Sequence, residues 1–130
     1  MDTMKNTMAT EGQRKRREAQ QQLAGEVERL MSHDEQEGLQ WKGTHTDLME
    51  ALHVAYETGA LQDEWGICLS FSSIVRRVCR LLHVNEPRNP YECASRGQRR
   101  KGMQMTPYLE RYQRLRAQGV RNPLWKSIKP

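Results

Sequence analysis

Seven cations in two clusters are the residues of this chain whose type and spacing suit a definite chemistry. Arg96, Arg99, Arg100 and Lys101 stand within SRGQRRKG (95–102), and Arg76, Arg77 and Arg80 within SSIVRRVCR (72–80). Neither stretch holds an acid. A guanidinium is planar and permanently charged, and its fork of donors matches a phosphate or the O6/N7 edge of guanine. The chemistry these clusters suit is the gripping of a polyanion, without bond making or breaking.

The charge distribution agrees. The formal net charge is +5, yet residues 1–69 carry 7 Lys and Arg against 13 Asp and Glu, and residues 70–130 carry 14 against 3. The cation excess lies wholly in the second half, where each Lys or Arg set against a phosphate would release condensed counterions. The competing expectation is a domain whose basic half pairs with its own acidic half.

Other chemistries find little support. Glu50-Ala-Leu-His53 is a single E-x-x-H on a helical stretch, where a di-metal site needs two with further carboxylates. Asp47, Glu50 and His53 read instead as a capping acid and two solvated residues. His33, His45 and His83 have no companions at ligand spacing, so no metal site and no cofactor are expected. Neither a Ser-His-Asp order nor a phosphate loop is present. Tyr91, Tyr108 and Tyr112 sit at packing spacing, so no catalytic residue, small-molecule substrate or enzymatic activity is expected. Cys68, Cys79 and Cys93 lack the spacing of a disulfide framework or zinc site and read as reduced core thiols of a cytoplasmic protein. The N-terminus has no apolar signal region, and no run is long enough to span a bilayer, so no membrane association is expected.

The elements that must position the cations follow from caps and periodicity. Residues 1–12 show no periodicity and are expected to be disordered. A helix over 13–31 carries Leu23, Val27, Leu30 and Met31 on one stripe, a face that could pair with a second copy as a short coiled coil. Its RKRR (14–17) would oppose the macrodipole at the helix start. An acidic connector ends at Gly38. Thr44 and Asp47 have capping-box spacing for a helix over 45–58 that Gly59 terminates. Residues 65–69 read as a brief strand or extended connector. Ser70 or Ser72 caps a helix to about 83, with Phe71, Ile74, Val75, Val78, Leu81 and Leu82 inward and the three arginines outward. Asn89-Pro90 starts a third helix, carrying Tyr91, Cys93 and Ala94 inward and breaking near Gly97. Residues 102–105 could form a minimal wing. Thr106-Pro107 starts a helix over 107–118, ended by Gly119. Residues 119–130 read as an irregular tail, with Trp125 tucked against the module. The fold class is therefore mainly α: a tri-helical helix-turn-helix or winged-helix-like domain at 39–118, with an N-terminal helix before it and an extra C-terminal helix at its end.

The run Trp41-Lys-Gly-Thr44-His-Thr-Asp47-Leu-Met-Glu50, with Ala55 and Gly59-Ala60, resembles the opening of the C-terminal domain of the RteC family. The resemblance continues through Ser70-Phe71-Ser-Ser-Ile74, His83-Val84, the basic run 96–101 and Thr106-Pro-Tyr108-Leu109-Glu110, over about residues 39–118. It implies a winged-helix-like DNA binder that regulates excision of Bacteroides-type conjugative transposons, with the helix-turn-helix pair in 71–101. The family's large N-terminal domain has no counterpart in residues 1–40, so a stand-alone DNA-binding or accessory relative is expected. Arg96, Arg99, Arg100 and Lys101 are expected as the main contacts to duplex DNA, with Arg76, Arg77 and Arg80 in support. The rival expectation is a non-enzymatic interaction module that dimerises or binds a partner through its N-terminal helix.

Overall fold

The computed structural model describes residues 3–100 and 106–130. Five helices dominate: α1 (Thr3–Met31), α2 (His45–Glu57), α3 (Phe71–Leu81), α4 (Pro90–Gln98) and α5 (Tyr108–Ala117). Single 3-10 turns lie at Glu35–Glu37 and Trp125–Ser127. Two short strands, β1 (Gln40–Trp41) and β2 (Ile128–Lys129), pair antiparallel with Gln40 opposite Lys129 and Trp41 opposite Ile128. The mainly helical expectation holds. The two-stranded sheet is not a wing between α4 and α5, because it joins the approach to α2 to the C-terminal segment. The expected wing at 102–105 lies outside the described residues, as does Lys101.

Local chemistry explains the starts and stops. Thr44, Ser70 and Asn89 each place a side-chain oxygen on the amide three residues ahead: Asp47 N, Ser73 N and Glu92 N, all at 3.1 Å. Gly59 and Gly119 follow α2 and α5 with positive φ. After α3 the same left-handed position falls to His83, at φ 57. The amides of His83 and Val84 return to the carbonyls of Arg80 and Cys79, which completes a Schellman closure.

Several expectations are corrected. The helix expected from residue 13 begins at Thr3, so residues 3–12 are helical rather than disordered. Nothing in that stretch stops a helix, and its one glycine, Gly12, is tolerated. RKRR therefore lies inside α1 and faces no helix terminus. Residues 10–18 are exposed, and burial begins at Ala19. The folded unit also exceeds 39–118. Leu23, Val27 and Leu30 of α1 share one core with α2, α3 and α5, and so do Leu124 and Ile128 from the segment expected to be irregular. Cys79 and Cys93 are buried, whereas Cys68 is exposed. Burial pushes the Cys79 thiol up to about 11, which keeps it protonated and unreactive. Tyr91, expected inside, is half-exposed, although its ring meets Phe71 at a centroid distance of 4.7 Å and so joins the starts of α3 and α4.

At the centre lies α2, packed against all four other helices. It buries Leu48, Met49, Ala51, Leu52, Val54 and Ala55, and its Asp47 and Glu50 as well. Burial on this many positions places the helix in the core, with two acids carried in alongside its apolar residues. Its tightest neighbour is α4, which passes through Gly97 unbroken. A Cβ at Gly97 would overlap Glu50 Oε1 and stand 3.0 Å from Thr46 Cγ2. Glycine is required here by close approach, and its helix-propensity cost is the lesser effect.

Gly97→Ala should therefore destabilise the protein by about 1–3 kcal/mol through overpacking, although alanine is the better helix former by about 1 kcal/mol. Urea unfolding followed by circular dichroism measures the difference. An unchanged or raised midpoint would show that Glu50 yields freely.

Candidate nucleic-acid interface

The expected cations part company once their surroundings are in place. Arg76, Arg80 and Arg96 are exposed, and among the described residues none of their side chains has an ion-pair or hydrogen-bond partner. Arg96 projects from α4. Arg99, at the end of α4, sits 3.5 Å from Glu92 with both side chains mostly in water, a pairing worth little and readily exchanged.

Arg77 and Arg100 are engaged within the chain. Arg77 donates through Nε and Nη2 to the Met31 carbonyl, at 3.1 and 2.6 Å, and so satisfies the C-terminus of α1. Together with Arg80 it lines a cleft of about 390 Å³ whose other wall carries Asp34 and Glu35. The acidic connector thus faces the α3 cations. Its own shape is set by Asp34, which forms a full capping box with Glu37, and by the ring nitrogen of His83 3.0 Å from the Glu35 carbonyl.

Arg100 turns inward from the end of α4 and places Nη1 2.9 Å from Asp47 Oδ1. Arg111 of α5 grips the same carboxylate through two nitrogens, with Nη1 3.0 Å from Oδ2, and sends Nε to the Thr106 carbonyl. Asp47 is 5% exposed. Burial alone would raise its pKa, but the hydrogen bonds and charges of Arg111 and Arg100 outweigh that and hold it below the ordinary carboxylate value. The capping box expected at the start of α2 is half formed: Thr44 takes the Asp47 amide, while the arginines take the Asp47 carboxylate.

Glu50 and His53 are not solvated. Glu50 is buried, and its Oε2 accepts from the Leu109 amide at 3.3 Å, while Oε1 has no partner. Leu109 stands in the first turn of α5. That helix starts one residue later than expected, with Pro107 at the cap and no side-chain cap from Thr106. Glu50 thus performs from α2 the capping expected of Thr106. Burial pushes its pKa up, assisted by the nearby charge of Asp47. His53 stands in a ring cluster with Tyr56, Phe71 and Tyr91, its Nδ1 3.2 Å from both Gln98 Nε2 and Glu57 Oε1. No group of three or more metal-ligating side chains converges among the described residues.

Cations missed by the sequence reading gather on α5 and beyond it. Arg114 and Lys126 are exposed, and with Arg111 they border a cleft floored by Tyr108, Leu115 and Pro123. Their signal in the sequence was only the general cation excess of residues 70–130.

The α1 stripe offered to a second copy is occupied at home. Leu23, Val27 and Leu30 are fully buried, and Glu26 on the same face is buried with them. Glu26 accepts from the Tyr112 hydroxyl and, at 3.3 Å, from the amides of Leu124 and Trp125. Among the described residues no helix is long and apolar enough to cross a membrane.

No family model matches this chain, and neither a curated protein nor a solved structure matches it.

The Glu50 carboxyl binds its proton more tightly in the folded chain than in the unfolded one. Its stabilising contribution is complete below the ordinary carboxylate pKa and is lost as pH rises through the raised folded value. Glu50→Gln keeps an oxygen for the Leu109 amide and never ionises. The stability difference between variant and wild type should be small at pH 4 and should grow in the variant's favour as pH rises toward 8. Thermal melts across that range measure it. A difference independent of pH would show that Glu50 does not titrate in this range.

Proposed function

We propose that the chain is a DNA-binding regulatory or accessory protein of a mobile genetic element, RteC-like in its domain of residues 39–118, which engages duplex DNA through a basic helix-turn-helix surface. In this reading α2, α3 and α4 form the tri-helical unit and α4 is the recognition helix. The observation that carries the reading is on α4. Arg96 and Arg99 lie one turn apart, exposed and with no strong internal partner, on a helix whose opposite side is sealed against α2 through Cys93, Ala94 and Gly97. A rigid rod presenting paired guanidiniums to solvent is what phosphate and base-edge recognition require.

Arg100 is reassigned within this proposal. Its charge is spent on Asp47, so it positions the end of α4, and contact with DNA falls to Arg96 and Arg99. Arg76 supports from α3, while Arg77 is committed to the Met31 carbonyl.

A protein-interaction role is favoured by a different observation from the one expected. Trp65 and Ile67 are 77% and 64% exposed at the tip of a hairpin-like loop. The loop is fixed by Asp63 Oδ1, which accepts from the amides of Trp65 and Ile67 at 2.9 and 3.0 Å. That tip, and not the N-terminal helix, is the surface such a reading would use.

Fluorescence anisotropy with a labelled duplex from the gene's own upstream region, beside a scrambled duplex, tests the DNA proposal. Wild-type affinity should fall steeply with salt, and Arg96→Ala/Arg99→Ala should weaken it about tenfold or more at low salt, with a slope shallower by about 1.8. Preference for the native duplex would mark a specific regulator. No binding to either duplex at low salt would sink the proposal.

A further inference from the structure

The cleft between α5 and the C-terminal turn has the composition of a phosphate site. Its volume is about 230 Å³, and its walls come from three separate parts of the chain: Asp47 at the start of α2, Arg111 and Arg114 on α5, and Lys126 in the last 3-10 turn. The lone acid does not neutralise it. Both Asp47 oxygens are taken up by Arg111 and Arg100, so that cluster already carries a net positive charge before Arg114 and Lys126 are counted. Arg114 and Lys126 both line the cleft and are exposed, and among the described residues neither side chain has a hydrogen-bond or ion-pair partner. Gln118 and Ser127 add neutral polar groups, and Leu115 and Pro123 give an apolar floor on which a sugar could rest.

The cleft beside α3 makes the contrast. There Arg77 and Arg80 face Asp34 and Glu35, so positive and negative charges balance and a phosphate would meet as much repulsion as attraction. The shared carboxylate gives the α5 cleft a further property: Arg100, at the end of α4, and Arg111, in the cleft, hold the same Asp47. The end of α4 and the first part of α5, which carry the exposed cations, are thereby tied to each other through one carboxylate.

We propose that Arg114 and Lys126 clamp a backbone phosphodiester of duplex DNA in this cleft, extending the contact surface from α4 across Asp47 to α5 and the C-terminal turn. The inference rests on the DNA-binding reading and deepens it. It assigns the main second phosphate anchor to α5 and the C-terminal segment, and leaves Arg76 of α3 the lesser, supporting part. Two anchors on separate elements would fix the register of the protein on the duplex, a task that phosphate contacts perform independently of sequence.

The test uses the full chain and the same labelled duplex across a salt series, with Arg114→Ala/Lys126→Ala beside Arg76→Ala/Arg80→Ala. Both pairs are exposed, and matched melting temperatures confirm intact folds. The expected result is that the Arg114/Lys126 variant loses about tenfold or more in affinity at about 50 mM salt, with a slope of log K against log salt shallower by about 0.9, the change for the one phosphate lost. The Arg76/Arg80 variant should change both much less. Wild-type binding that the Arg114/Lys126 variant leaves intact would overturn the cleft assignment while the DNA reading stood. No wild-type binding to any duplex would overturn both. A competition arm with inorganic phosphate against chloride at equal ionic strength separates the sources of the anion. Displacement of the duplex specific to phosphate, lost in the Arg114/Lys126 variant, would place a duplex phosphate in the cleft; phosphate that binds at Arg114 and Lys126 and leaves the duplex bound would mark a small-anion pocket and overturn the assignment to duplex backbone.

Discussion

Two carboxyl groups one helical turn apart, Asp47 and Glu50, face inward from the most enclosed helix of the molecule, and the surrounding elements satisfy the first in full and the second through one of its two oxygens. Removing a carboxylate from water costs several kcal/mol unless charge or hydrogen bonds replace the lost solvation. Asp47 is satisfied by charge: Arg100 closes on it from the end of α4, and Arg111 from the second turn of α5. Glu50 is met by a backbone amide at the start of α5, where the unpaired N–H groups and the helix dipole favour an acid. The two acids therefore fix where α4 ends and where α5 begins. Gly97 belongs to the same constraint, since only a residue without a side chain lets α4 approach Glu50 so closely.

This arrangement divides the basic half of the chain into internal and external cations. The sequence posed two alternatives for that half, an anion-binding face or self-neutralisation, and both occur at different residues. Arg77 and Arg100 are structural: one completes the C-terminus of α1, the other compensates a buried acid. Arg96, Arg114 and Lys126 remain in solvent without partners among the described residues. A charge total cannot make this separation, because it depends on which side chains the tertiary fold brings within a few ångströms.

What was legible in the sequence was whatever is decided locally. Ser70, Asn89, Gly59 and Gly119 act within a few residues of themselves, and the helices they bound fall where their spacing puts them. The stripe of α3 is apolar at every expected position, so its inward face was readable in full. The buried carboxylates were not legible, for a physical reason. Glu26 stands three residues after Leu23 and four before Leu30, inside the apolar stripe, and that placement was a usable signal of burial. Its partners, however, are Tyr112, Leu124 and Trp125, 86 to 99 residues away. Periodicity shows which face turns inward and is silent on what meets it there. The same limit hid Arg100, whose partner on α2 lies 53 residues earlier.

The pairing of β1 with β2 bears on how the protein is made. Gln40 meets Lys129, Trp41 meets Ile128, and Glu26 waits for the amides of Leu124 and Trp125. During vectorial synthesis on a ribosome, α1 and α2 emerge with their apolar faces and buried acids long before these partners exist. The core is completed only after Leu124 and Ile128 have left the exit tunnel. Helical hairpins can form on the way, yet the last step joins segments about 90 residues apart, and long-range closures of this kind are the slow ones in folding. Until then the ends of this core that β2 and Leu124 finally cover, and the Glu26 carboxyl, stay open. That interval is when a chaperone, or a second nascent copy, has access to surfaces that the finished protein never shows.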